Sequence, residues 1–263
     1  MSVRNKIRGL REVWEFDNRV WLTFTKTLFP KENLHIYRYK GLDILVDHAA
    51  GDANGARDVL TSLMYRRFFP KMKFDGPINV LDLGANNGGF PLLVAASGIK
   101  LKKVVSVELN PKTFLRLHFN LNRNLRCEVI ALNAAVCGER KDLEVALGDG
   151  SVSDSIYNDN PDPGTETYRI QGLTFDEICD TYFDNEVIDI CKIDVEGAEF
   201  EVFLQPSHQK LAQCRYFIME IHERGDRRAE EILPAIERLG FLRQGLDANA
   251  DPTVHFFVNS QFD

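Results

Sequence analysis

Six short apolar runs constrain this chain more than anything else in it. They are NVLDLGA (79–85), KVVSVEL (103–109), CEVIALNAAV (127–136), IDICKIDV (188–195), YFIMEIH (216–222) and TVHFFVN (253–259). Runs without polar alternation suit strands buried on both faces, which is the condition of a largely parallel sheet. Between them, residues 88–97, 111–121, 199–204 and 226–239 carry helical spacing. Strands alternating with helices predict an α/β fold with right-handed crossovers: a Rossmann-like, doubly wound, mostly parallel seven-stranded sheet. FLRQGLDANADP before the last run suits a hairpin and an antiparallel edge strand. A further pair, DLEVALGD and TYRIQGLTF, is inserted between the third and fourth parallel strands.

The first 75 residues have a different rhythm. Val3, Ile7, Leu10, Val13, Trp14 and Val20 recur at helical spacing and predict an amphipathic helix over 3–28. LHIYRYKGLDILVD (34–47) predicts a hairpin turning at Lys40-Gly41, and 52–69 a helical segment ending near Pro70. KFDGP (73–77) supplies turn chemistry, so the expected division is a helical and hairpin extension, 1–75, and a larger domain, 76–263. The apolar stripe of the first helix reads as a core or homo-oligomer contact, not a membrane anchor.

At 263 residues and 44% hydrophobic, the chain has enough apolar material for one substantial core. A formal net charge of −7 argues against a nucleic-acid partner, and the basic runs KLKK and RGDRR read as solvated faces. The N-terminus is too charged for a signal peptide, and no apolar run is long enough to span a membrane. The cysteines, Cys127, Cys137, Cys179, Cys191 and Cys214, are odd in number and lack CxxC spacing. They read as reduced, buried thiols, and the expected location is cytoplasmic.

The chemistry starts at VLDLGANNGGF (80–90), a strand that runs into a glycine turn and a helix start. In an open α/β sheet that is where ligands bind, beyond the carboxyl ends of the strands. The dinucleotide pattern G-x-G-x-x-G fits poorly, because Asn86 stands where the second glycine belongs. Asp82, before the turn, would repel a diphosphate and suit a positive ligand. S-adenosylmethionine has a sulfonium and an α-ammonium and no phosphate, which favours it over NAD. Glu108 ends the second strand, where an acid accepts both ribose hydroxyls, although NAD enzymes use the same device. Asn133, Ala134 and Ala135 end the third strand and would border the adenine.

DLGANNGGF, VELNP, the NAAV strand and, most specifically, ICKIDVEGAEFEVF resemble the FkbM family of S-adenosylmethionine-dependent methyltransferases over about residues 78–222. The resemblance implies O-methylation of a hydroxyl on a sugar, glycan or secondary-metabolite acceptor. It assigns Asp82, Gly84, Asn86 and Gly88 to the methionine end of the donor and Glu108 to its ribose. Ala85, Leu109 and Asn110 stand within the same motifs, and Asp194 closes the donor site. Two rivals remain: an NAD-dependent oxidoreductase on this fold, and a donor-binding module without catalysis.

Methyl transfer to oxygen is an in-line displacement in which an alcohol needs a base, or a metal that lowers its pKa. Strand alternation puts Lys192, Asp194 and Glu196 on one face, and likewise Glu220 and His222 on the adjacent strand. In one reading His222 takes the substrate proton while a carboxylate orients its ring. In the other, Asp194, Glu196 and Glu220 hold Mg²⁺. The sequence reading leans to metal-free chemistry with Asp194 and His222 together. Glu199 and Glu201 read as first-turn acids that suit a helix dipole. In the loop at 148–165, Ser153, Ser155 and Tyr157 are candidates for acceptor contact.

Overall fold

A computed structural model describes residues 12–29, 33–48, 50, 52–147, 166–245 and 251–262. Residues 1–11 and the loop with Ser153, Ser155 and Tyr157 lie outside the described residues, and the helix expected over 3–28 is interrupted by a turn at 14–18 before it runs over Arg19–Leu28. The seven-stranded sheet has the order β11–β12–β10–β9–β3–β4–β5. Its strands are β3 (Ile78–Leu83), β4 (Leu101–Glu108), β5 (Glu128–Asn133), β9 (Ile188–Ile193), β10 (Cys214–Glu220), β11 (Phe241–Arg243) and β12 (Val254–Asn259). β3, β4, β5, β9 and β10 pair in parallel, whereas β12 runs antiparallel to β10 and to β11. β3 therefore has β4 on one side and β9 on the other, which makes its carboxyl end the switch point.

All six β3 residues are buried, as a central strand demands. Helix α3 (Gly89–Ala96) follows the glycine turn, and α4 (Pro111–Asn124) follows β4. Asn110 caps α4, its Oδ1 accepting from the N–H groups of Lys112 and Thr113. The run 127–136 does not continue as one strand. Asn133 Nδ2 donates to Glu108 O and Leu109 O, both at 2.9 Å. The chain then leaves the main sheet, and β6 (Ala135–Val136) joins β7 (Lys141–Leu147) and β8 (Glu166–Leu173) in a second sheet. β7 and β8 are the inserted antiparallel pair. Helix α5 (Phe175–Tyr182) begins with a capping box of Thr174 and Glu177. Helix α6 spans Glu199–Leu204; the helix expected over 226–239 is confined to α7 (Leu233–Arg238), where a proline opens the first turn.

The N-terminal segment contributes α1 (Arg19–Leu28), β1 (Leu34–Tyr39), β2 (Leu42–Asp47) and α2 (Asp52–Thr61). The hairpin turns at Lys40 (φ 49°) and Gly41 (φ 82°). Val13, Phe16, Leu22, Tyr37, Ile44, Leu60 and Tyr65 belong to the same core as Val80, Phe90, Ile218 and Phe256 on one face of the main sheet. Polar ties reinforce this. Asn120 on α4 accepts from Leu45 N–H at 2.7 Å and donates to Asn87 O at 2.8 Å, joining hairpin, helix and glycine turn. Asp52 at the start of α2 is buried and pairs with Arg116, whose Nη2 donates at 2.9 Å. Trp14, ahead of α1, and Val20, Trp21 and Phe24 on its outer side are exposed. Cys137, Cys179, Cys191 and Cys214 are buried free thiols. Among the described residues no helix is long and apolar enough to cross a membrane.

Candidate active site

A cleft of about 300 Å³ opens at the carboxyl ends of β3, β4 and β9. Its floor is the glycine turn. Gly84 has φ +75°, and a Cβ there would overlap the backbone carbonyl of Asp194, so the crossing of the β3 and β9 ends requires glycine. Asn86 also has positive φ, at 48°. Gly84, Ala85, Asn86, Glu108, Leu109, Ala134 and Ala135 line the cleft. Glu108 is nearly buried; its Oε2 accepts from Asn86 N–H and its Oε1 from Asn110 N–H, each at 2.8 Å. It thus fixes the turn to the end of β4 as well as facing the cleft.

Asp82, Gly88, Asn110 and Asn133 are not among the lining residues. Asp82 has 0% exposure, and its Oδ1 lies 3.3 Å from Lys192 Nζ, below the turn rather than in the cleft. Burial raises its pKa, Lys192 opposes that, and Asp194 adds to it. Lys192 also donates to Gly84 O at 3.0 Å and lies 3.3 Å from Asp194 Oδ2. Burial acts to lower the Lys192 pKa, but Asp194 and Asp82 outweigh it, and the ammonium is held. Gly88 packs on Leu117 and Leu121 of α4, while Asn110 and Asn133 serve as cap and strand tie. The repulsion expected of Asp82 toward a diphosphate does not reach the cleft, but Asp58, Glu108, Asp194, Glu196 and Glu220 line it and supply the same sign of charge.

At the other end of the cleft, β9 stops at Ile193 and β10 at Glu220, so strand alternation does not place Glu196 or His222. A turn does, with Glu196 at φ 51° and Gly197 at φ 99°. Glu199, 0% exposed, organises it: its carboxylate accepts from Val195 N–H at 3.1 Å and Gly197 N–H at 2.8 Å, and meets His222 Nδ1 at 3.1 Å. Glu199 is therefore more than a first-turn acid. The Nε2 edge of His222 faces Glu196 Oε2 and Glu220 Oε1, both at 3.6 Å, and Asp194 Oδ1 at 3.9 Å. All four expected catalytic residues, Asp194, Glu196, Glu220 and His222, are brought together.

Tyr65 completes the cluster. Its buried hydroxyl lies 3.3 Å from Asp194 Oδ2 and 3.4 Å from Glu220 Oε2, and its ring lies under Lys192 Nζ. Tyr65 is 129 positions from Asp194, in a segment without a motif, and only the fold brings them together.

Burial raises the Glu196 pKa to about 7; His222 opposes that, and Asp194, Glu199 and Glu220 reinforce it. Burial also raises Glu220, with Asp194 adding to it. For His222 burial acts to lower the pKa, but Glu199, then Glu196 and Asp194, take it up to about 9. At neutral pH the imidazole is therefore protonated and Glu196 is near half-protonated. Asp194, Glu220 and His222 each offer an atom within 4.8 Å of the others, the one grouping among the described residues that would suit a metal ion. It differs from the expected Mg²⁺ set by having His222 in place of Glu196.

The model of the methyltransferase FkbM domain matches residues 82–243, more than half of the chain. The chain belongs to the FkbM methyltransferase family. The matched stretch begins at Asp82 and takes in the glycine turn, Glu108, Asp194, Glu196, Glu220 and His222, but not Tyr65. The FkbM methyltransferase of Methylobacillus flagellatus KT has a similar fold, at 13% identity and TM-score 0.50, covering 96% of this chain and 59% of that one. The chain therefore spans about three fifths of that protein's length. TrmK of M. capricolum, solved with S-adenosylhomocysteine, matches at 10% identity and TM-score 0.42, over 76% of this chain and 67% of that one. TYW2 of M. jannaschii, solved with AdoMet, matches at 18% identity and TM-score 0.38, over 88% and 86%. No curated protein sequence matches the chain.

Proposed function

We propose that this FkbM-family protein moves the methyl group of S-adenosylmethionine to a hydroxyl oxygen of a sugar, glycan or other small-molecule acceptor. One observation carries the reading: a single cleft joins Glu108 and the apolar Leu109, Ala134 and Ala135 at one end to the Asp194–Glu196–Glu220 cluster at the other. The first end suits a nucleoside, with the Glu108 carboxylate for the ribose hydroxyls. The donor supplies an electrophilic methyl on sulfur, whose C–S bond breaks as the C–O bond forms. The second end suits the acceptor hydroxyl and its proton.

Glu196 is the better base. It lines the cleft, whereas His222 does not, and a carboxylate near pKa 7 is matched to neutral pH. His222, held by Glu199, then steadies the ionised carboxylates as a fixed cation. This departs from the sequence expectation of His222 as base, because Glu199 keeps that imidazole protonated. The acid-lined cleft and net charge of −7 favour a neutral or cationic acceptor over a polyanion. The exposed Trp21 and Phe24 on α1, with Trp14 just ahead of it, support a homo-oligomer, checked by the mass of the protein in solution.

A second reading rests on the clustering of Asp194, Glu220 and His222 within 4.8 Å. By donor type the two carboxylates suit Mg²⁺, whereas the His222 imidazole would ligate only when neutral and suits a softer ion; a cation held there would lower the pKa of the acceptor hydroxyl. The test is methyl transfer from radiolabelled donor to a panel of sugars and glycosides, with and without chelator. Transfer that survives chelator and falls roughly 10²–10⁴-fold in Glu196→Gln, the range for a lost general base, supports the first reading. Transfer abolished by chelator and restored by Mg²⁺ supports the second. Tight donor binding with no transfer to any acceptor would favour a donor-binding module.

A further inference from the structure

The geometry points to Gly55, in the N-terminal segment and outside the matched stretch 82–243, as the positioning residue that sets the Asn86 amide to bind the α-carboxylate of the donor. The inference rests on the donor reading above and names the contact for one group of that donor.

Glycine is a poor residue for a helix interior, because it has more freedom to lose than alanine. Gly55 nevertheless stands within α2. It is not among the glycines with positive φ, so no left-handed turn calls for it. Space does. A Cβ on Gly55 would stand 2.5 Å from Asn86 Oδ1 and 2.9 Å from Asn86 Cγ. Gly89 serves the same crossing from the other side, since its Cβ would stand 3.0 Å from Ala56 Cα. α2 thus lies directly on the glycine turn, and the bare surface at Gly55 gives the Asn86 amide its place.

Hydrogen bonds hold Asn86 from the other sides. Its N–H donates to Glu108 Oε2 at 2.8 Å, and its Oδ1 accepts from Asn87 N–H at 2.8 Å. The first bond sets Asn86 beside the carboxylate proposed for the ribose, and the ribose carries the sulfur and amino-acid chain of the donor. The second engages the amide oxygen, so the amide offers a ligand its Nδ2, which can only donate. Gly55 and Asn86 share the cleft with the five carboxylates named above. An anionic group bound there needs an N–H donor to offset them. Lys192, the one cationic side chain lining the cleft among the described residues, already serves Gly84 O, Asp82 and Asp194. The α-carboxylate is the one anionic group of S-adenosylmethionine, and Asn86 Nδ2 suits it.

The test is calorimetry on wild type, Gly55→Ala, Asn86→Gly and the double variant with three ligands. These are S-adenosylhomocysteine, its decarboxylated amine and 5′-methylthioadenosine. All three contain adenosine and a thioether, but only the first has the carboxylate. Both substitutions suit their backbones, because alanine favours a helix and glycine accepts the φ of 48° at position 86. Each single variant should weaken S-adenosylhomocysteine binding about tenfold to a hundredfold, the range for a lost hydrogen bond to a charged group. The double variant should lose no more than Asn86→Gly alone, since Gly55 acts through Asn86. Binding of the amine and of 5′-methylthioadenosine should stay within about threefold. Losses that add in the double variant, losses shared by the amine, or no loss at all would overturn the assignment while leaving the donor reading intact. Failure of wild type to bind any of the three would overturn the donor reading, and this inference with it.

Discussion

The Glu199 carboxylate lies 3.1 Å from His222 Nδ1, with 0% exposure, while its two oxygens also accept the N–H groups of Val195 and Gly197. One buried acid thus fixes both the turn that presents Glu196 and the imidazole that faces it. Glu199→Gln keeps the shape and removes the charge. The His222 pKa should then fall from about 9 by roughly one unit or more, as expected when a close opposite charge is lost. Titration of the His222 ring by NMR measures this, and an unchanged midpoint would show that Glu199 does not hold the proton there.

Stability should fall as pH rises through the neutral range. The folded pKa of His222, about 9, is above its ordinary 6.5, and that of Glu196, about 7, is above its ordinary 4.5. In both cases the folded protein holds more protons than the unfolded chain, so the slope of stability against pH is negative. The His222 contribution is complete below about 6.5 and is lost by about 9; the Glu196 contribution is lost between about 4.5 and 7. Denaturant unfolding from pH 5 to 9 should show the decline, and the double variant Glu196→Gln, His222→Asn should flatten it. An equal slope in that variant would assign the dependence elsewhere.

Tyr65→Phe removes one hydroxyl from between Asp194 Oδ2 and Glu220 Oε2 and leaves the ring in the core. S-adenosylhomocysteine affinity should stay within about twofold, while kcat falls about tenfold to a hundredfold, the range for a lost hydrogen bond to a charged group. Unchanged kcat would remove Tyr65 from the catalytic centre.

Gly84→Ala tests the crossing of β3 and β9. The added Cβ meets Asp194 O, and φ +75° is a conformation that L side chains rarely adopt. A loss of about 1–3 kcal/mol is expected from the backbone conformation alone, with the overlap adding to it. Thermal unfolding reads it, and wild-type stability in the variant would contradict the described turn.

The parallel sheet, its antiparallel edge and the inserted pair were legible because buried strands leave unbroken apolar runs. The glycine turn and the glutamate that line one end of the cleft were legible because glycine, asparagine and glutamate occupy fixed places around one turn. Asp82 was misplaced because its sequence position does not reveal Lys192, which neutralises it from the neighbouring strand. Glu199 carried a weak signal, an acid two residues past Gly197, which sequence reading absorbs into the helix dipole. Tyr65 carried none, since helical periodicity in residues 52–69 says only that one face is covered. Strand ends also misled: alternation stops at Ile193, and a left-handed turn, not the pleat, aims Glu196.

The central claim, a nucleoside-sulfonium donor in this cleft with its ribose on Glu108, is tested most directly by calorimetry with S-adenosylhomocysteine and NAD on wild type and Glu108→Gln. Glutamine is the milder substitute, because it keeps an acceptor for one of the N–H groups of Asn86 and Asn110, whereas alanine would release both. The account predicts one S-adenosylhomocysteine per chain, no NAD binding, and an affinity loss of about 1.5–3 kcal/mol in the variant, the range for hydrogen bonds to a charged group. NAD binding without S-adenosylhomocysteine binding would contradict it, as would a variant that binds S-adenosylhomocysteine as tightly as wild type.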